Sequence, residues 1–182
     1  HHMNADGASL APLTRDLAAA YASRARGIPP RLGNGPTDVD YADWSRWHSG
    51  LLSTVGADGT TEEQRQLAYW SDRLSGAPDR SDLPTDRPRR DLPGIGAAVD
   101  VTIPGEIVTG LEDIARAHAA TLFMVVHAAW SVLLARLSGR DDVVVGTPHA
   151  GRDDHRVADV VGMFVTTVPL RTRISPHESF TD

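Results

Sequence analysis

His1, His2 and Asp6, with Gly7 behind them, form the one tight cluster of catalytic residue types in this 182-residue sequence. A histidine on a loop ahead of a helix can take a proton near neutral pH, or can donate a hydrogen bond to a developing oxyanion. Asp6 can orient an imidazole, or can pair with an arginine and hold the loop in shape. Gly7 lets backbone and substrate approach closely. Residue types alone leave other readings open. His1-His2-Met3 is also what a cleaved histidine tag leaves behind, and histidines at a chain end are commonly solvated. His2 and Asp6 at i,i+4 are two potential metal ligands with no third partner nearby, so no metal site is expected.

The elements that must position this cluster follow at once. Leu10, Leu13, Leu17 and Tyr21 recur at helical spacing, with Ser9 placed to cap the N-terminus and Pro12 in the first turn, where its missing N–H is harmless. Residues 27–40 are rich in Gly and Pro and read as a linker. Trp44, Trp47 and Leu51 predict a helix over 41–52, and a second is expected over 62–74. Residues 76–96 hold many of the prolines and read as an extended crossover. Ala97, Val99, Val101 and Ile103 then alternate with Asp100 and Thr102, the pattern of a half-buried strand. Ile107, Leu111, Ile114 and His118 predict an amphipathic helix, and 121–136 a nearly all-apolar one. Val143 to Val145 and Phe164 to Ile174 read as strands, the second an edge or bulged strand because of Pro169. The order is that of an α/β protein. Trp44, Trp47 and Trp70 are expected to be packing anchors, His127 a hydrogen-bonded core histidine, and His48, His149, His155 and His177 surface residues.

Composition narrows the function classes. The chain is 41% hydrophobic and 23% charged, the balance of a folded globular protein. Its formal charge of −6 argues against nucleic acid as a partner. It has no cysteine, which excludes disulfides, thiolate metal sites and thiol catalysis. No lysine occurs, so every basic side chain is arginine. No signal peptide is visible and the apolar stretch 121–135 is too short to span a bilayer, so no membrane partner and a cytoplasmic location are expected.

The stretch His1-His2-Met3-Asn4-Ala5-Asp6-Gly7 resembles the HHxxxDG motif of the condensation domains of nonribosomal peptide synthetases. The resemblance continues down the chain. Tyr41-Ala42-Asp43-Trp44-Ser45-Arg46-Trp47 looks like the family's Tyr-x-Asp-aromatic-x-x-Trp landmark, and Leu67 to Trp70 with Leu74 to Pro78 like its next helix. Leu83-Pro84-Thr85-Asp86-Arg87-Pro88 resembles the crossover between lobes. Ala120 to Met124 and Gly146-Thr147-Pro148 resemble the C-terminal lobe, and Val161-Gly162-Met163-Phe164-Val165 the fifth landmark. One position departs: Thr166 stands where the family usually has asparagine, keeping a hydroxyl and losing the amide's reach.

The resemblance implies a chloramphenicol acetyltransferase-like α/β fold of two lobes, incomplete here. Residues 1–40 would be the end of the N-terminal lobe, 41–92 a helical junction and crossover, and 93–182 the first part of the C-terminal lobe. It implies acyl transfer: an amine on a downstream carrier attacks a thioester on an upstream one. His2 would act at the reaction centre, with His1, Asp6 and Gly7 as supports. Tyr41, Asp43, Trp47, Gly162, Phe164 and Thr166 would face the tunnel or lobe interface. No cofactor would be bound directly; the phosphopantetheine arms of the carrier domains bring the substrates. The expected partners are upstream and downstream peptidyl carrier domains, an adjacent adenylation domain and further segments of the same domain. An epimerisation domain or another acyltransferase of the superfamily, or a carrier- or enzyme-recruiting module without catalysis, are the competing implications. Residues 1–182 by themselves are expected to be inactive and to leave apolar surface uncovered.

Overall fold

The structure, a computed structural model, describes residues 1–32, 39–86, 96–175 and 177–180. Residues 87–95 of the crossover, with the Arg87-Pro88 end of its family-like stretch, lie outside the described residues, as do residues 33–38 of the linker before Tyr41. Five helices and two strands follow in order: α1 (Leu10–Ala25), α2 (Tyr41–Leu52), α3 (Glu62–Leu74), α4 (Gly105–Ala117), α5 (Leu122–Ser138), β1 (Asp142–His149) and β2 (Thr166–Arg173). Short 3-10 turns lie at His2–Asn4, Gly7–Ser9 and His155–Val157. The chain divides into two compact units, His1–Ser75 with Gly146–Pro169, and Gly76–Val145 with Leu170–Asp182.

The first unit is built from locally specified helices. Asp40 accepts from the Asp43 N–H at 2.7 Å while Asp43 accepts from the Asp40 N–H at 3.3 Å, a reciprocal capping box that starts α2. Thr61 and Gln64 do the same for α3, with Glu62 and Glu63 in its first turn and Arg73 in its last, each favoured by the helix dipole. α2 and α3 pack on one another. α1 starts differently from expectation. Ser9 occupies the cap position but makes no side-chain cap bond, because its hydroxyl is used elsewhere in the unit. The apolar stripe of α1 is present and uncovered: Leu17 is 68% and Tyr21 77% exposed.

In the second unit α4 and α5 pack together, and Ala115, Val125, Ala135 and Val143 are buried. Thr121 caps α5 by accepting from Met124 N–H at 3.2 Å, and Gly139 ends it at φ +69°, a left-handed conformation suited to glycine. Arg171 on β2 grips Asp142 on β1 with two donors, at 2.9 and 2.6 Å. β1 and β2 are neighbours in a two-stranded sheet. Pro169 therefore sits in a strand with a single described neighbour, where a missing N–H is tolerated.

Four expectations are corrected here. Residues 97–103 form no strand, and Val99 and Val101 are 87% and 80% exposed. Alternation supplies a face to bury, but a strand also needs a hydrogen-bonding neighbour, and none pairs with it among the described residues. Trp47 is 52% exposed and is no packing anchor, whereas Trp44 is half-buried and stacks on His48 with ring centres 5.0 Å apart, so His48 is no free surface residue. His127 is not a hydrogen-bonded core histidine: its Nε2 is buried without a partner among the described residues, as is Ser131 Oγ one turn on. A buried donor or acceptor left unpaired costs about 1–3 kcal/mol. Replacing His127 by leucine should therefore raise the stability of the natural polypeptide by about that amount. Thermal unfolding of the two forms checks this, and a lower midpoint for the variant would contradict it.

Candidate functional site

The chemistry-bearing cluster lies in the first unit, on a turn that makes its own bonds. Asn4 N–H donates to His1 O at 3.0 Å and Ala5 N–H to His2 O at 3.4 Å, closing the turn on itself. His1 Nδ1 accepts from Met3 N–H at 3.3 Å, and the rings of both histidines are exposed. The backbone is thus held while the His2 imidazole stays open to an incoming group.

Asp6 is the anchor. It is only 3% exposed, and its carboxylate accepts from Ser9 N–H at 3.0 Å, Ser9 Oγ at 2.8 Å, Arg152 Nη2 at 2.9 Å and Phe164 N–H at 3.1 Å. Burial alone would raise the Asp6 pKa. The hydrogen bonds from Ser9 and Arg152 and the amides of Phe164 and Ser9 outweigh it and hold the carboxyl well below the usual carboxylate range. Asp6 is therefore a charged structural group. Its backbone N–H also donates to Gly162 O at 3.1 Å, tying the histidine turn directly to the loop between β1 and β2.

Ser9, completely buried, is the hub of this contact. Its oxygen accepts from Gly162 N–H at 3.1 Å and from Arg152 Nη2 at 3.0 Å. Its single proton goes to Asp6 Oδ1 or to Gly162 O, at 2.8 and 2.9 Å. Arg152 closes the arrangement with its other Nη, which donates to Val157 O at 2.7 Å and Val160 O at 2.8 Å. Its guanidinium lies 4.1 Å from the centre of the Phe164 ring, a cation–π contact in a nearly dry setting. Gly151, at φ +67°, makes room for it: a Cβ there would overlap the Phe164 carbonyl.

α2 meets the same loop. Tyr41 donates its hydroxyl to Met163 O at 2.8 Å and sets its ring edge-on to Phe164 at 5.1 Å. Trp44 packs on Phe164 at 4.7 Å. A Cβ at Gly162 would overlap the Tyr41 ring, 2.7 Å from Cγ.

The structure thus brings together the His1-His2 turn, Asp6, Tyr41, Gly162 and Phe164. It does not bring in the other residues singled out from sequence. Asp43 caps α2 and pairs with Arg46 at 2.8 Å, Trp47 is exposed, and Thr166 is an exposed first residue of β2. Gly7 has no positive φ, and a Cβ there would meet open space, so the described residues do not themselves require glycine. Sequence reasoning missed Arg152 and the role of Ser9. The signal for an arginine was present, since a buried aspartate demands a cation, but nothing local selects Arg152 across 146 residues. No group of His, Asp or Glu suited to a metal occurs among the described residues, and no single helix there is long and apolar enough to cross a membrane.

A family model described as Condensation domain matches residues 1–182. The chain is 44% identical over 183 residues to an isonitrile lipopeptide synthase of Mycobacterium tuberculosis (strain ATCC 25618 / H37Rv), covering 100% of this chain and 7% of that protein. Among solved structures, it matches the X-domain in its complex with OxyB from teicoplanin biosynthesis with a TM-score of 0.84 and 29% identity, over 99% of this chain and 39% of that one. The first condensation domain of the calcium-dependent antibiotic synthetase, in complex with a substrate analogue, matches with a TM-score of 0.69 and 26% identity, over 100% of this chain and 38% of that one. The chain therefore spans about two fifths of these solved chains.

Proposed function

Because this chain belongs to the condensation-domain family, we propose that it carries the reaction centre for amide formation between two carrier-bound substrates in nonribosomal peptide synthesis. The observation that carries this reading is a contrast within one motif. Asp6 is buried, charged and clamped, while the histidines four and five residues before it stand exposed on a self-closed turn. Such a site holds its backbone still and leaves an imidazole free.

His2 acts at the reacting atoms, with His1 and Asp6 as structural supports and Gly7 keeping the tunnel floor clear. The downstream carrier's amine attacks the upstream thioester carbonyl; the imidazole takes the amine proton or stabilises the tetrahedral oxyanion, and the thiol of the upstream arm leaves. Two tethered phosphopantetheine arms meeting at one centre replace a bimolecular encounter by an effectively intramolecular one, which supplies much of the rate. Residues 1–40 are the end of one lobe, 41–92 a junction and crossover, and 93–182 the start of the second lobe. Asp43, Trp47 and Thr166 lie towards the tunnel or lobe interface. Carrier and adenylation domains and further segments of the same domain are the partners.

His2→Ala in the natural polypeptide is expected to lower amide formation by roughly 10²–10⁴-fold, the size of a lost proton-transfer group, while carrier binding survives. Single-turnover assays with loaded carriers measure both. A second reading, recruitment of another enzyme without catalysis, is favoured by the higher TM-score to the OxyB-bound X-domain than to the antibiotic synthetase domain. Amide formation undiminished by His2→Ala would remove His2 from the reaction centre, whereas no amide formation by the natural polypeptide with loaded carriers would leave the recruiting reading.

A further inference from the structure

The histidine turn hangs from the backbone of one residue, Gly162, of the loop between β1 and β2. Asp6 N–H donates to Gly162 O, and Ser9 Oγ accepts from Gly162 N–H at 3.1 Å and lies 2.9 Å from Gly162 O. Gly162 is buried, so these bonds compete little with water. Tyr41, the first residue of α2, packs against the same residue and bonds the next carbonyl along the chain. Its ring lies where a Gly162 Cβ would be, its half-buried hydroxyl donates to Met163 O at 2.8 Å, and its ring meets Phe164, whose own N–H donates to Asp6 Oδ2 at 3.1 Å. The capping box of Asp40 and Asp43 fixes the turn of α2 from which Tyr41 projects.

We propose that Tyr41 is a positioning residue for the His1-His2 turn, acting through the backbone of Gly162 and Met163. The turn and the helix grip one backbone segment, so a change at Tyr41 moves the Gly162 backbone that Asp6 and Ser9 hold. Tyr41 itself meets loop residues, not the histidines. The consequence is a shift of the imidazole, and a displacement of about 1 Å at a reacting group can cost on the order of 10²-fold in rate. The activity arm of this inference rests on the reading of His2 given above.

The test compares Tyr41→Phe, Tyr41→Ala, Gly162→Ala and the Tyr41→Ala/Gly162→Ala pair in the natural polypeptide. Two readouts are taken: single-turnover amide formation resolved into kcat and KM for the acceptor carrier, and hydrogen exchange of the peptide covering residues 1–10. Gly162→Ala should lower kcat by roughly tenfold to a hundredfold with KM within about twofold, since positioning affects the reacting geometry more than carrier docking. Tyr41→Ala, which removes the ring that a Cβ would strike, should make the added methyl tolerable, so the paired variant is far less impaired than the product of the single effects. Tyr41→Phe keeps the packing and loses one hydrogen bond, and should show a kcat loss of about twofold to tenfold. Exchange in residues 1–10 should accelerate in Tyr41→Ala and in Gly162→Ala. Multiplicative single effects, or unchanged exchange in residues 1–10 in both single variants, would overturn the inference. If the unsubstituted protein shows no His2-dependent amide formation, the functional reading fails, yet exchange still decides the coupling: acceleration upholds Tyr41 as positioning, and no change removes it.

Discussion

Arg152→Met is expected to destabilise the natural polypeptide by about 3–5 kcal/mol, the size seen when one partner of a buried ion pair is removed. The side chain is 8% exposed and its partner carboxylate is fully buried. Methionine replaces most of the stem, so the loss reads charge and hydrogen bonding more than cavity formation. What remains is a buried Asp6 carboxylate without its cation and a Val160 carbonyl without its arginine donor, while the Val157 carbonyl keeps only the Val160 N–H. The Phe164 ring loses its cation as well, a smaller effect of about 0.5–2 kcal/mol. Adding Asp6→Asn to the variant neutralises the stranded charge, so the pair should cost less than the sum of the single changes. Urea unfolding followed by tryptophan fluorescence measures all of them. A loss under about 1 kcal/mol for Arg152→Met would mean that the clamp is not what holds the loop, because even a single net hydrogen bond is worth that much.

The same residue marks where sequence reading succeeds and where it stops. The bounds of α2 and α3 are legible because their causes are local: Trp44, Trp47 and Leu51 give the period, and caps within three residues set each start. Ser9 shows the limit of a local rule. It stands at the position that a cap requires, but its hydroxyl is drawn to Asp6 and Gly162, the latter 153 residues away. The choice between a local N–H and a distant peptide is made by tertiary packing, which a window of sequence does not contain. Pairing with an arginine was one of two roles that the chemistry of Asp6 allowed, the other being to orient an imidazole. That the arginine is Arg152 was not legible, because the chain returns to the site through a loop with no periodic signal.

The same limit explains the misread segment at 97–103. Alternation of Ala97, Val99, Val101 and Ile103 is a local property, whereas strand pairing is a relation between two segments. The motif-like residues Asp43, Trp47 and Thr166 fail to join the described cluster for a related reason: spacing in a landmark reports which residues travel together in sequence, not which side chains converge. By contrast Gly162, singled out in sequence only as a tunnel or lobe-interface residue, proves to be the residue whose backbone holds the histidine turn and whose missing Cβ admits the Tyr41 ring of α2.

Acid should loosen the histidine turn as the Asp6 carboxylate becomes protonated. The folded-state pKa of Asp6 lies below its unfolded value of about 3.9. A carboxylate of this kind adds stability that is fully present above the unfolded pKa and is lost as pH falls towards the folded one. Asp142, held down by Arg171 in the other unit, acts with the same sign. Arginine keeps its charge throughout, so only the carboxylates titrate in these pairs. Between about pH 5 and neutrality these groups should contribute a constant amount. Below about pH 4 each should remove stability at up to about 1.4 kcal/mol per pH unit, to a total on the order of 2 kcal/mol or more for a salt-bridged aspartate. Unfolding midpoints from pH 7 down to pH 2 for the natural protein and for Asp6→Asn test the assignment, because the gap between them should narrow only below about pH 4. A gap that stays constant to pH 2 would mean that the charge of Asp6 is not what the Ser9–Arg152 clamp stabilises. A gap that closes as expected would make the buried carboxylate the element that fixes the turn, and would leave the exposed His2 imidazole free to serve the reaction.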